Sequence, residues 1–235
     1  MKQRGKVTVV EGIIGAGKSS FSKELAEARG ENTLYLREPD EKDNGNPYLS
    51  DFYEDQERWA FTMQTHLLQE RYKMHLHAQW HAMTTGKNAV LDRSYFGDTA
   101  FARLQVKTGA MTMREFQTYQ SIYHAMTASV LLPNVCIHLQ VSPEVSNDRI
   151  SRRMEERTGR KCESAIDLGY LYSLQREENY MVDALRSQGV KIISIPWDED
   201  RSTPSARFEI VNEIAKKIIE HKPADMFLDL HRRTI

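Results

Sequence analysis

The sequence predicts an α/β fold: a five-stranded parallel sheet flanked by helices. Three observations carry that prediction. Five short apolar or β-branched runs recur along the chain, long stretches of helical character separate them, and a glycine-rich turn joins the first run to the first helical stretch. The runs are residues 6–11, 33–37, 88–92, 135–141 and 190–196. The first leads into VEGIIGAGKSS, the second ends in LREPD, and the third ends in LDRSYFGD. The fourth precedes SPE and a basic helix, and the last precedes DEDR. The longest interval, residues 41–87, holds a long helical pattern behind a Gly/Asn/Pro-rich loop at residues 42–47.

Composition narrows the class. The 235 residues contain no linker or repeat and are read as one domain, 1–235. Lys plus Arg (32) nearly balance Asp plus Glu (33), so the net charge of −1 gives no footprint for nucleic acid or a membrane surface. Any anion site must be local. Cys136 and Cys162 sit in no metal or disulfide pattern, and no run approaches the ~18 apolar residues of a membrane span. A soluble protein of a reducing, cytoplasmic interior is expected.

Gly12, Gly17, Lys18 and Ser19 satisfy G-x-x-x-x-G-K-[ST], directly after an apolar strand and ahead of a helix, the setting that gives the pattern meaning. Glycines let backbone N–H groups turn toward phosphate oxygens, Lys18 reaches the outer phosphates, and Ser19 offers its hydroxyl to Mg²⁺. Gly12, Gly15, Ala16, Gly17, Lys18, Ser19 and Ser20 are therefore read as the cradle of a nucleotide's phosphates.

The partner that receives the phosphoryl group must be read elsewhere. Glu38 stands at the carboxyl end of a predicted parallel strand that Pro39 terminates, where ligands of open α/β sheets bind. It is a candidate general base, a capping or surface carboxylate being the alternative. A helix expected to begin near Tyr53 places Tyr53, Gln64 and Arg71, 11 and 7 residues apart, within about 20° of one another. That stripe either reads the donor and acceptor edge of a base or is the wet side of an amphipathic helix. Asp92 would hold Mg²⁺ beside the phosphate loop, Arg93 would aim a donor at the reacting oxygens, and Asp98 would reach the base. A structural Asp92–Arg93 ion pair is the competing reading. Arg149, Arg153, Arg157 and Arg160, spaced 4, 4 and 3, share one helical face that either closes over phosphates or is solvated beside Glu155 and Glu156.

In order, GIIGAGKSS, REP, NPYLSDFYEDQERWAFTMQTHLLQER, LDRSYFGD and SPEVSNDRISRR resemble the deoxyribonucleoside kinase family, most of all its bacterial deoxyadenosine and deoxyguanosine kinase branch. The likeness spans residues 6–180. It implies a P-loop kinase fold with an arginine-rich lid at about residues 149–165, usually as a homodimer. It also implies ATP with Mg²⁺ as donor and the 5′-hydroxyl of a deoxyribonucleoside, a purine first, as acceptor. Glu38 becomes the base for that hydroxyl with Arg93 beside it, Tyr53 the partner of the 3′-hydroxyl, and Gln64 with Arg71 and Asp98 the readers of the base. Arg149 and Arg153 become lid arginines, and DEDR, with Asp198 and Asp200, the loop cupping the donor's adenine.

Three departures stand out. DEKDNG occupies the place of a tryptophan in animal members, and Asp92 replaces their glutamate. Gly169 replaces a glutamate that binds the 3′-hydroxyl, leaving Asp167 and Glu177 as candidate substitutes. Two alternatives remain. Thymidylate kinase shares the P-loop, the Arg-Glu-Pro strand end and the Asp-Arg pair, but continues Glu-Pro with Gly-Gly-Thr. A non-catalytic nucleotide-binding subunit would have no chemical use for Lys18, Ser19, Glu38 and Arg93 together.

Overall fold

In the computed structural model, residues 5–39, 45–155 and 166–221 are described. Strands β1 (Val7–Glu11), β2 (Leu34–Leu36), β3 (Ala89–Asp92), β4 (Val135–Gln140) and β5 (Lys191–Pro196) form an all-parallel sheet in the order β2-β3-β1-β4-β5. Each lies inside its predicted run, shorter by a residue or two. The helices among the described residues are α1 (Lys18–Ala28), α2 (Leu49–Glu54), α3 (Gln56–Thr85), α4 (Tyr95–Lys107), α5 (Met113–Thr127), α6 (Pro143–Glu155), α7 (Leu168–Ser187) and α8 (Pro204–Glu220). None of them is long and apolar enough to cross a membrane.

Successive side chains of a strand point to opposite faces, and this sheet buries both. Val10, Val90 and Ile137 join a core with Phe21 and Leu25 of α1 and Ile214 and Ile218 of α8. Val9, Leu91 and Cys136 join a second core with Leu68 of α3, Tyr95 of α4 and Leu185 of α7. Thus α1 and α4, which follow the neighbouring strands β1 and β3, lie on opposite faces of the sheet. The crevice between the carboxyl ends of those two strands is the topological switch point at which open α/β sheets receive ligands.

The helix expected near Tyr53 is in fact two. Asp55, at φ −143 and ψ 86, leaves helical conformation and caps α3 by accepting a hydrogen bond from the Arg58 N–H at 3.1 Å. Tyr53 therefore belongs to α2, and only Gln64 and Arg71 ride together on α3. Gly45, Asn46 and Pro47, the described part of the predicted loop, are non-helical as expected.

Two histidines lie inside this fold, His75 on α3 and His138 on β4. Burial pushes both down to about 4. His75 has Nε2 2.9 Å from the Leu131 carbonyl, which only accepts, so Nε2 carries the proton. Between the unfolded value of ~6.5 and the folded value, the unfolded chain binds more protons, so each histidine withdraws stability as pH falls through that window. Glu178, raised to about 7 chiefly by burial, works in the opposite direction over an overlapping range. The expected result is therefore a difference: from pH 7 to pH 5, His75→Gln loses less Tm than the parent chain. Equal losses would remove His75 from the acid response.

Candidate active site

The carboxyl ends of β1, β2 and β3 bring three segments to one crevice. The first is the turn between Glu11 and Lys18. Gly17, the N-cap residue of α1, has φ 78, a left-handed conformation that strains any residue with a Cβ. The helix starts with no side-chain cap and no acidic residue in its first turn. Its leading N–H groups and positive dipole end are thus available to an anion. Lys18 arches back so that Nζ donates to the carbonyls of Gly12 and Ile13, each at 2.9 Å. Burial lowers its pKa to about 8, with Arg93 adding and Glu38 and Asp92 opposing, so it remains largely cationic at neutral pH.

Glu38 follows β2. Its Oε1 lies 2.6 Å from Arg71 Nη2 and 2.9 Å from Arg93 Nε. Burial alone would raise its pKa; Arg93, Arg71 and Lys18 overcome that and hold it down to about 2. The carboxylate is ionised throughout the physiological range. Arg93 follows β3 and is the single non-glycine residue with positive φ (70) among the described residues. Such a conformation persists when neighbours enforce it, and here the Arg93 N–H donates to the Val10 carbonyl at 3.0 Å while Glu11 holds the next residue, Ser94. The Glu11 carboxylate, fully buried at the end of β1, accepts from both the N–H and the Oγ–H of Ser94 and lies 4.0 Å from Arg93 Nη1. Gly97 is needed for that approach, since a Cβ there would stand 2.5 Å from Glu11 Oε2. Arg93 Nη2 also donates to the Gly12 carbonyl at 3.2 Å, which ties the two strand ends together.

Asp92 is fully buried, and neither of its oxygens has a well-formed hydrogen bond among the described residues. Burial and then Glu38 raise its pKa, while Lys18 and the Ser19 hydroxyl draw it down less. Buried carboxylate oxygens without donors, with a hydroxyl alongside, suit a hard cation. Among the described residues no cluster of three or more His, Cys, Asp or Glu could hold a metal alone. Mg²⁺ commonly takes one or two protein ligands and completes its shell with phosphates and water, so Ser19 and Asp92 fit that role.

A cavity of about 360 Å³ runs from the phosphate loop past Glu38 and Arg93 to Tyr53, Arg71 and Gln105, within the size range of small-ligand sites. Tyr53 reaches it from α2. Arg71 is gripped on both sides, by Glu38 and by Asp98 Oδ1, and Asp98 Oδ2 accepts from the Tyr119 hydroxyl at 2.6 Å. Gln64 and Asp98, by contrast, are wholly buried and do not line the cavity. The stripe expected to face the ligand is split: Arg71 forms the wall, and Gln64 and Asp98 stand behind it.

Arg149 and Arg153 of α6 both border the cavity. Arg149 Nη2 donates to the carbonyls of Trp197 (2.8 Å) and Glu199 (2.9 Å), so α6 is pinned to the loop after β5. Arg157, Arg160 and the rest of the lid expected to residue 165 lie outside the described residues. In DEDR, Asp198 accepts from the Ser142 N–H (2.7 Å) and Asp200 from the Ser202 N–H (3.0 Å), so both carboxylates hold loop backbone. Neither proposed substitute for the missing glutamate reaches the cavity. Asp167 caps α7, and Glu177 pairs with Arg103 and Lys107 on another surface.

Sequence reasoning missed Glu11, Glu178, Asn46 and Gln105, all buried here. A charged residue closing an otherwise apolar strand was a usable signal for Glu11. Glu178 sits on the buried side of α7, takes the Gly12 N–H, and is raised to about 7 by burial against the pull of Arg93 and Lys18. Nothing in its local sequence marks it.

A family model described as deoxynucleoside kinase matches residues 8–220. The chain is 31% identical over 193 residues to a deoxyguanosine kinase of Dictyostelium discoideum, covering 82% of this chain and 64% of that protein. It is 33% identical over 180 residues to a deoxyadenosine/deoxycytidine kinase of Bacillus subtilis, covering 76% and 77%. A solved deoxyadenosine kinase from M. mycoides, with dCMP and dCDP bound, superposes with a TM-score of 0.72 at 22% identity over 89% of this chain and 99% of that one. At that identity the superposition speaks to the fold. With the family match running from β1 to the end of α8, the chain belongs to the deoxynucleoside kinase family.

Proposed function

We propose that this chain, acting as one kinase domain, transfers the γ-phosphoryl group of ATP to the 5′-hydroxyl of a purine deoxyribonucleoside. The observation that carries the reading is Glu38: an ionised carboxylate, held by Arg71 and Arg93, on the wall of the cavity that also contains the phosphate loop. Glu38 accepts the proton of the 5′-hydroxyl as its oxygen bonds to phosphorus, and Arg93 steadies that oxygen. Lys18, the leading N–H groups of α1, Arg149 and Arg153 offset charge on the transferring group. Ser19 and Asp92 would hold Mg²⁺, which when bound neutralises charge on the outer phosphates. Tyr53 takes the 3′-hydroxyl, Arg71 faces the base with Asp98 and Gln64 behind it, and the Asp198–Asp200 loop faces the donor's adenine. The purine preference draws on the names of the relatives above; association as a homodimer and a cytoplasmic setting draw on likeness to the family.

An ADP-release assay with deoxyadenosine, deoxyguanosine, deoxycytidine, thymidine and dTMP tests this. Turnover is expected with a purine deoxynucleoside. Preference for dTMP would make the protein a nucleotide kinase, and silence with every acceptor would make it a non-catalytic binder. Lys18→Ala is expected to lower kcat by at least about 10²–10³-fold, since it removes the buried cation of this turn, which exchanges the Gly12 and Ile13 carbonyls for phosphate oxygens when a nucleotide binds. A variant that keeps its rate would take Lys18 out of the transfer step.

A further inference from the structure

A carboxylate beside the phosphate loop has no part in the transfer set out above. Glu178 is 3% exposed, among the buried apolar positions Leu171, Leu174, Met181, Val182 and Leu185 of α7. Burial of an ionised group is unfavourable unless donors or opposite charges compensate it, so an apolar side chain would suit this place better if packing were its only duty. What sets the position apart is its partner: the carboxylate takes the Gly12 N–H, while its Oε1 has no hydrogen-bond partner among the described residues.

Gly12 is where the chain leaves β1 and the phosphate-binding turn begins. Its carbonyl accepts from Lys18 Nζ at 2.9 Å and from Arg93 Nη2 at 3.2 Å. Gly12 is thus tied on both sides, by two cations at its carbonyl and by an acid at its N–H. Around Glu178 stand Lys18 of α1, Arg93 after β3 and Glu11 at the end of β1, and the Cys136 thiol of β4, pushed well up by burial, stays neutral beside them. Glu38 and Asp92 act on the same Lys18. Phosphates entering this turn take over as the counter-charge of Lys18. They also oppose a further negative charge close by, and the group free to give its charge up is the one whose oxygen lacks a donor.

We propose that Glu178 is a positioning residue for the transfer: it fixes the start of the phosphate loop through Gly12 and takes up a proton from solvent when a nucleotide's phosphates replace it as counter-charge. This rests on the kinase reading above. Burial already holds Glu178 at about 7, so at neutral pH roughly half of the molecules have the proton still to gain.

Calorimetric titration of Mg·ATP into the full chain without acceptor, in two buffers of different ionisation enthalpy at pH 7, counts the protons gained on binding. The unaltered protein is expected to gain about 0.3–0.5 proton more than Glu178→Gln, which matches its shape but not its charge. Protons exchanged by ATP itself cancel in that difference. Kinetics test the tie to Gly12. Glu178→Met, which offers no acceptor, is expected to lower kcat/KM for ATP by about 10-fold or more with KM for the deoxynucleoside unchanged, and Glu178→Gln, which still accepts from Gly12, to recover most of that loss. Equal proton counts in the parent and Glu178→Gln would overturn the proposal. So would a Glu178→Met protein that loses Tm alone, which is what a merely structural residue would do. Proton uptake needs no acceptor, so silence with every deoxynucleoside would overturn the kinase reading while that count decides the role of Glu178 by itself. No binding of Mg·ATP at all would overturn both.

Discussion

Glu38→Gln is expected to lower kcat by about 10²–10⁴-fold, the usual worth of a positioned general base, with KM for ATP close to that of the parent. The substitution keeps the size of the side chain and its ability to accept from Arg71. It removes the affinity for a proton. Loss of rate through unfolding is guarded against by Asp98, which still pairs Arg71. Loss of the charge should lower Tm at neutral pH, so the rates are compared well below both melting transitions. With its folded pKa depressed to about 2, Glu38 contributes stability that is fully present above the unfolded carboxylate value and lost as pH falls toward 2. For the same reason an acid limb in kcat near neutrality would have to come from another group. A Glu38→Gln protein that turns over normally would end its assignment as the base.

Asp98→Ala is expected to cost about 3–5 kcal/mol of stability, because it strips one partner from a buried charge pair. At roughly 2–4 °C per kcal/mol for a chain of this size, Tm drops by about 10 °C. Asp98 is fully buried, pairs with Arg71, and takes the Tyr119 hydroxyl at 2.6 Å. Its removal leaves Arg71, 4% exposed, with Glu38 alone, and leaves the Tyr119 hydroxyl without its acceptor. Arg71→Met combined with Asp98→Ala should recover a large part of the loss, since an apolar pair makes no demand for charge compensation. The same double variant should raise kcat/KM for thymidine relative to deoxyadenosine, because the wall then offers an apolar surface to the thymine methyl. If the two substitutions simply add, Arg71 and Asp98 are not coupled as their contact requires.

The five strands and the phosphate loop were legible in the sequence because their signals are local. A run of β-branched residues, a glycine that tolerates positive φ, and a charged residue closing a strand each act over a few positions. Glu38, Asp92 and Arg93 were legible for the same reason, standing at strand ends whose direction toward the crevice follows from the parallel order. Tyr53, Gln64 and Arg71 show the limit. Periodicity assigns side chains to one face of an ideal helix, but Asp55 interrupts that helix with a single capping bond. Periodicity also says nothing about how far a helix is rotated toward its neighbours. Packing of α3 against α4 and α5 decides that Arg71 meets the cavity, that Gln64 stands behind Gln105, and that Asp98 spends its carboxylate on Arg71 and Tyr119. Tertiary structure likewise collects Glu11 and Glu178, from β1 and α7, around Arg93 and Lys18. Short-range preferences determine where strands start and which residues can cradle phosphate. The partner of a buried polar group is set by close packing of segments far apart in sequence, where burial makes an unmatched charge or amide too costly to leave to chance.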